Sequence, residues 1–461
     1  LYGPDTFITD IYRFYIDVAG ERHAARDSGP PLHSIAQRIN SGELSEVGGL
    51  ETLLKLCAGR LVLNKADFSA NVKQNRALRT ACEYALAHSQ DGKLVDRVSA
   101  VWTEAGLELP DEDMRKRARP VPVHRPRVHL FGRHLNRTPM YYEPYRRLFE
   151  RHVEYVDDIW KADMVVTGFD IDFRSAAADL ARKTSVRPEM QFLVVSEEPL
   201  WDTVWSAVLT ESSGFAGSGA STIPYTVGNH VNSNVFAFDR LPYFITTDDK
   251  FFQRYARLFQ RNAAMSVDDV LSVWQAAPIR AAFYAERRLE ERFDLFLPGL
   301  GVRGLCAWRT RIAETVQRGP IIRAGQGWDS RAARRQSLPD WHLDKLSALD
   351  RRALIVSGLE NTHHPDYITE KVFDAFAVLG VPLYYAAPDH RIHEICSSGG
   401  FLNLYGHSEE AAAALVDEFE PDAAFAEAYL DTQKALASLF SDPETLNRER
   451  DRVVSTILGM I

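Results

Sequence analysis

The feature that most constrains this chain is a change of rhythm near residue 127, after which short apolar runs alternate with helical segments. Residues 128–131 form a strand candidate ended by Gly132, a helix-like stretch covers 142–151, and a second strand candidate covers 162–167. A helical run at 175–183 precedes the strongly apolar Gln191–Val195. Strand and helix in strict alternation require crossover connections, and crossovers give a parallel sheet with helices on its faces. The rhythm returns later, with a helix at 306–317, strands at 320–323 and 353–356, a helix from Asp366 and a strand at 382–386. Between the two units, residues 241–245 and a long helical region at 249–291 read as a bridge. From Ser408 the pattern is helical to the end. The predicted fold class is therefore α/β, with two Rossmann-like doubly wound domains.

Residues 1–114 read as a helical N-terminal appendage, because Leu50, Leu53 and Leu54, then Leu78, Cys82, Ala85 and Leu86, recur at helical spacing. Residues 115–127, with three prolines and six basic side chains, read as a linker. The first domain is then 128–290, bridge included, and the second is 291–461 with C-terminal helices. The 461 residues carry a net charge of −9, which argues against a general nucleic-acid binder. No apolar run is long enough for a transmembrane segment and no basic-then-apolar leader opens the chain, although it begins on Leu1 rather than Met. Cys57, Cys82, Cys306 and Cys396 lie far apart and form no CxxC pair, which points to reduced thiols in a cytoplasmic protein.

The chemistry concentrates in residues 355–386, IVSGLENTHHPDYITEKVFDAFAVLGVPLYYA. An apolar strand ends at Ser357-Gly358 and places Glu360-Asn361 in the turn beyond it, where open α/β sheets bind ligands. Asp366 is a suitable N-cap for a helix whose apolar stripe is Ile368, Val372, Ala375, Phe376 and Leu379, with Gly380 and Pro382 ending it. Lys371 near a helix N-terminus opposes the helix dipole, an arrangement suited to a diphosphate; a solvated Glu370-Lys371 pair is the plain alternative.

Glu360-Asn361, then Asp366-Tyr367-Ile368-Thr369-Glu370-Lys371, then Gly380-Val381-Pro382 resembles the signature of the α-1,3-fucosyltransferases. A looser match continues through residues 397–404. The resemblance implies a GT-B arrangement, in which two such domains face a cleft, and an inverting transfer of L-fucose from GDP-fucose to a sugar hydroxyl. It implies that Glu360 stabilises an oxocarbenium-like transition state and that Asn361 holds the turn or touches the donor. Tyr367 and Lys371 would contact the diphosphate, Glu370 would bind the ribose hydroxyls, and Thr369 belongs to the same donor-binding set. No metal or other cofactor is implied, because basic side chains and the helix end stabilise the leaving group. Three positions depart from the pattern: Leu359 replaces an aromatic residue, His363 and His364 occupy the spacer without an assigned role, and the turn at Gly380 is one residue short.

Transfer also needs a base. Ser196-Glu197-Glu198-Pro199 follows the strand Gln191–Val195 and resembles the family's acidic E-S-P turn, which makes Glu197 the base and Glu198 its reserve; a solvated acidic turn is the plain reading. Trp201 and Trp205 are either an apolar acceptor floor or core. For the arginine that the family places near the diphosphate, Arg309 is preferred to Arg323 and Arg280. His363, His364, His390 and His393 lack a carboxylate or cysteine partner for a metal, Asp248-Asp249 reads as a helix cap, and Asn136-Arg137-Thr138 is a formal glycosylation sequon. The polar run 229–234 has no assigned mechanism.

The expected partners are GDP-fucose and an oligosaccharide or glycolipid acceptor of a bacterial surface glycan. The expected location is cytoplasmic, with a peripheral contact at the inner membrane face. A transferase using another nucleotide-sugar and a non-catalytic glycan-binding or assembly protein are the rival readings.

Overall fold

The computed structural model describes residues 125–461 apart from 206–208 and 329–338, together with Ser99 and Thr103. Apart from Ser99 and Thr103 the expected appendage at 1–114 lies outside the described residues, as do most of the linker and both Cys57 and Cys82. Pro126–Ile461 form one compact unit. The last residue of the expected linker, Arg127, already belongs to the first strand.

The first sheet comprises β1 (Arg127–Leu130), β2 (Glu154–Tyr155), β3 (Met164–Thr167), β4 (Gln191–Val195), β5 (Ser213–Ala216) and β6 (Ile223–Gly228). Their order is β2-β1-β3-β4-β6-β5, and every pairing is parallel except β5 with β6. Side chains alternate across a strand, and here both faces are buried. Met164, Val166, Leu193 and Val195 pack on one face with Tyr145 and Phe149 of α1 (Glu143–Phe149). Val165, Phe192 and Val194 pack on the other with Phe173, Ala177 and Leu180 of α2 (Ile171–Val186). Two covered faces explain why these strands read as continuous apolar runs. The short helix α3 (Pro199–Trp205) follows β4.

Three helices lead out of this sheet: α4 (Tyr243–Thr246), α5 (Asp249–Ala263) and α6 (Val267–Ala276). Asp248 caps α5 by accepting from the Lys250 amide, as the sequence suggests. The helical bridge expected through residue 291 ends at Ala276. Ile279–Tyr284 is instead β7, paired on both sides in the second sheet, so that sheet begins inside the expected first domain. Ala281, Ala282 and Phe283 are buried, and Arg280, which makes the segment look helical, reaches the carbonyls of Val416 and Asp417 at 3.0 and 3.1 Å.

The second sheet adds β10 (Ile321–Ala324), β11 (Ala353–Ser357), β13 (Val381–Tyr384) and β14 (Leu402–Asn403) in the all-parallel order β10-β7-β11-β13-β14. A small antiparallel sheet joins β8 (Phe296–Leu297), β9 (Val302–Gly304) and β12 (Thr362–His363). The helices are α7 (Cys306–Thr315), α8 (Trp341–Leu349), α9 (Glu370–Ala377) and α10 (Ile392–Ile395), then α11 (Glu409–Glu418), α12 (Ala423–Leu439) and α13 (Pro443–Leu458). The last helix returns to the first sheet, where Val453, Val454 and Ile457 complete its core, while its Leu446 packs in the core of the second, so α13 is shared between the two halves.

Helix α9 starts later than its sequence suggests. Thr369, not Asp366, is the N-cap, with its hydroxyl toward the Lys371 amide. Val372, Phe373 and Phe376 are fully buried, each contributing roughly 1.5–3 kcal/mol of transfer free energy. Leu379, at φ 62°, takes the left-handed position ahead of Gly380, and Trp274 Nε1 donates to its carbonyl at 2.8 Å. The two sheets and their helices form the two-part α/β architecture that the alternation predicts.

Candidate active site

In an open parallel sheet the ligand crevice opens where consecutive strands depart in opposite directions. In the first sheet β1 leads to β2 on one side and β3 on the other; in the second, β7 leads to β10 on one side and β11 on the other. The loops leaving β1, β4, β7, β10 and β11 line one cleft of about 500 Å³. Asn136, Arg137, Tyr141, Tyr142, Glu198 and Trp201 face it from the first half, and Arg309, Asn361, Tyr367, Thr369, Glu370 and Lys371 from the second. Six basic and four acidic side chains line it, a local excess of positive charge in an acidic chain.

The second wall is built by backbone contacts. At the end of β11, Gly358 passes so near α9 that a Cβ would lie 3.0 Å from the Val372 Cα. Leu359 is buried in the core, and its carbonyl accepts from Arg309 Nη1 at 2.9 Å. The Asn361 carbonyl accepts from the Leu305 amide at 2.8 Å, which ties the turn to the start of α7. The loop and two helix ends are thereby fixed to one another.

Glu360 is 3 % exposed and is absent from the cleft lining; it lies beneath the wall. One carboxylate oxygen accepts from the Thr369 amide and hydroxyl at 2.7 and 2.8 Å, and the other lies 3.0 Å from Lys371 Nζ. Lys371 Nζ also donates to the Thr369 hydroxyl at 2.8 Å and lies 3.4 Å from Glu370. Burial opposes the charge of Lys371, but Glu360 and Glu370 outweigh it and hold its pKa above the ordinary value. Burial raises the Glu360 carboxyl, with Lys371 acting against the rise.

Among the described residues, Arg309 Nε, Asn361 Oδ1 and Glu370 Oε2 are buried atoms of cleft-lining side chains without a hydrogen-bond partner. Such atoms are costly, and all three belong to side chains of one cleft wall, where a polar ligand could satisfy them. Of the three arginines weighed from the sequence, Arg309 alone faces the cleft. Arg323 is engaged by the carbonyls of Ala313 and Val316, and Arg280 by those at the end of α11.

On the opposite wall the two glutamates diverge. Glu198 faces the cleft, accepting from Arg137 Nη1 at 2.8 Å and from Asn361 Nδ2 at 3.1 Å, the latter a bond between the two halves. Glu197 is buried and absent from that lining; its two oxygens accept from the hydroxyls of Tyr142 and Tyr243, each at 2.8 Å. Burial raises the Glu197 carboxyl to about 7, against the opposing pull of Arg137 3.7 Å away. Trp201 lines the cleft, stacked on Trp205 with centroids 4.9 Å apart, and the Arg288 guanidinium lies 5.0 Å over its ring.

Arg137, Tyr142 and Arg288 escape the sequence reading. Their usable signal is position: each follows the carboxyl end of a strand beside a switch point, where the sequon at Asn136 draws attention to glycosylation instead.

His363, His364 and His230 are each engaged by backbone groups. His363 Nδ1 contacts the Gly301 carbonyl at 3.1 Å while its Nε2 accepts from the Ala387 amide at 3.3 Å, which fixes a neutral tautomer. His364 accepts from the Asp366 amide, and burial lowers it to about 4. Within the 229–234 run, His230 contacts the Glu197 carbonyl at 3.0 Å from behind the site. Among the described residues no group of three or more His, Cys, Asp or Glu side chains is arranged to hold a metal, and no helix is long and apolar enough to cross a membrane.

Residues 342–441 match the family model described as glycosyltransferase family 10 (fucosyltransferase), C-terminal. The matched span includes the turn at Glu360, all of α9 and the histidine cluster. Among curated proteins none matches at a significant level.

Proposed function

We propose that this chain, a glycosyltransferase of the family 10 fucosyltransferases, moves L-fucose from GDP-fucose to a sugar hydroxyl with inversion and α-1,3 linkage. The observation that carries the reading is that Arg309, Asn361, Glu370 and Lys371 share one cleft wall, Lys371 in the first turn of a helix, and that the first three each keep a buried polar atom without a partner. Arg309, Lys371 and the amides at the start of α9 suit a diphosphate, and the free Glu370 oxygen suits a pair of ribose hydroxyls. As the bond from C1 to the leaving phosphate breaks, these cations meet the charge that develops on GDP.

Glu360 serves as a positioning residue, holding Lys371 and Thr369 in place from beneath. The acceptor enters from the other wall, and the face of Trp201 offers a platform for a sugar ring. Glu197, with its pKa near the working pH, receives the acceptor proton. No residue of this scheme calls for a metal. The departure at Leu359 lies in the core rather than on the cleft wall, so it gives no reason to prefer a different donor sugar. We further propose an acceptor belonging to a bacterial surface glycan and a cytoplasmic location, a compartment in keeping with the free, buried thiols of Cys306 and Cys396.

The test is release of GDP from GDP-fucose in the presence of an oligosaccharide panel, with GDP-mannose and UDP-galactose alongside. Turnover confined to GDP-fucose is expected. Turnover with UDP-galactose but not GDP-fucose would sink the assignment.

A further inference from the structure

We infer that the Tyr142 hydroxyl relays the acceptor proton to Glu197, so that the acceptor meets a tyrosine in the cleft rather than the carboxylate itself. The inference rests on the reading of Glu197 as the terminal proton acceptor. Geometry poses the problem: Glu197 is 3 % exposed and does not line the cleft, whereas a base must lie within hydrogen-bond reach of the proton it takes. Tyr142 supplies the connection. It lines the cleft and its hydroxyl donates to Glu197 Oε1 at 2.8 Å.

A second cavity that touches Glu197, bounded by Glu198, His230, Tyr243 and Tyr367, measures about 10 Å³. That is the lower limit for one water and far too small for a sugar. Tyr243 donates to Glu197 Oε2 at the same 2.8 Å but is absent from the main cleft. The two tyrosines thus make matched bonds to one carboxylate, and only Tyr142 has a face toward the substrates.

The step balances without a further reactant. The acceptor oxygen forms its bond to C1 of the sugar while the bond from C1 to the phosphate oxygen breaks, the electron pair leaving with GDP. The acceptor proton passes to the Tyr142 oxygen as the tyrosine proton passes to Glu197 Oε1. Burial, then the neighbouring Glu197, raise Tyr142 well above its ordinary pKa, so it conducts the proton without resting as tyrosinate. The charged and titratable groups facing Glu197 are Arg137, Glu198, Tyr142, Tyr243 and His230, with Tyr367 and Asp366 beyond them around the small cavity.

The experiment measures GDP release from GDP-fucose, and GDP binding by calorimetry, for the wild type, Tyr142→Phe, Tyr243→Phe, Glu197→Gln and the Tyr142→Phe/Glu197→Gln pair. Tyr142→Phe should bind GDP as the wild type does and lose turnover by roughly 10²–10³-fold, the usual share of a positioned proton-transfer group. The double variant should fall no further than Glu197→Gln alone. Tyr243→Phe should keep most of the turnover and move the midpoint of the rate-versus-pH curve upward, because its hydroxyl favours the Glu197 carboxylate. The relay is overturned if Tyr142→Phe stays within about threefold of the wild type while Glu197→Gln is inactive, or if the two losses multiply. Equal losses from both tyrosines would also overturn it, since that marks shared support of the carboxylate rather than a path. Wild-type protein that binds no GDP defeats the underlying donor reading and the relay together, an outcome distinct from those three.

Discussion

Glu197 is held as a buried acid with a carboxyl raised to about 7 from an ordinary 4.5. A carboxyl whose folded pKa is raised favours the protonated fold. Its contribution is therefore fully present below about pH 4.5 and is lost as pH climbs through 7, on the order of 3 kcal/mol in all. Glu197→Gln, which cannot ionise, is expected to match the wild type in urea unfolding at pH 4.5 and to exceed it by about that amount at pH 8. An equal gap at both values would show that the group is not strained when charged. Turnover should follow the opposite trend, rising in the wild type as Glu197 ionises near pH 7. Little of this was legible in the sequence. Ser196-Glu197-Glu198-Pro199 announces an acidic turn after a strand, but which glutamate turns inward depends on Tyr142 and Tyr243, which lie 55 and 46 residues away along the chain.

Among the elements, β4 and the helices after residue 408 were the most readable, because apolar runs and helical spacing there agree with burial. β7 was not, since arginine and alanine favour helix locally and the segment becomes a strand only through neighbours on both sides. The start of α9 was misplaced for a related reason. Asp366 is an able cap in isolation, but Thr369 is held extended by its two bonds to Glu360. His363 had no visible role because its partners, the Gly301 carbonyl and the Ala387 amide, belong to other loops, whereas His364 bonds locally to the Asp366 amide. His364 carries an acid sensitivity. With His364 lowered to about 4 by burial, its contribution is present above about pH 6.5 and lost as pH falls toward 4, on the order of 3 kcal/mol. Replacing His364 by Phe is expected to flatten the fall in stability between pH 6.5 and 4.5 seen by denaturant unfolding. An unchanged slope would assign that fall to other groups.

At the scale of the whole molecule, the two halves are joined by more than the chain connection. Asn361 donates to Glu198 across the cleft, and α13 returns from the second half to complete the first core. Ile457→Ala, fully buried in that core, should cost about 2–5 kcal/mol and lower the stability of the first sheet although the substitution lies at the far end of the chain. Amide exchange in β1 and β3 would report it, and a loss confined to α12 and α13 would contradict the shared core. The cleft between these halves is the centre of the account, and calorimetric binding of GDP, with UDP as comparison, tests it most directly. The account predicts GDP-selective binding that weakens about 10–100-fold when Lys371→Met is combined with Glu360→Gln, a pair that removes the cation without leaving Glu360 charged beneath the wall. Folded protein that binds neither nucleotide, or a double variant that binds GDP as well as the wild type, would contradict it.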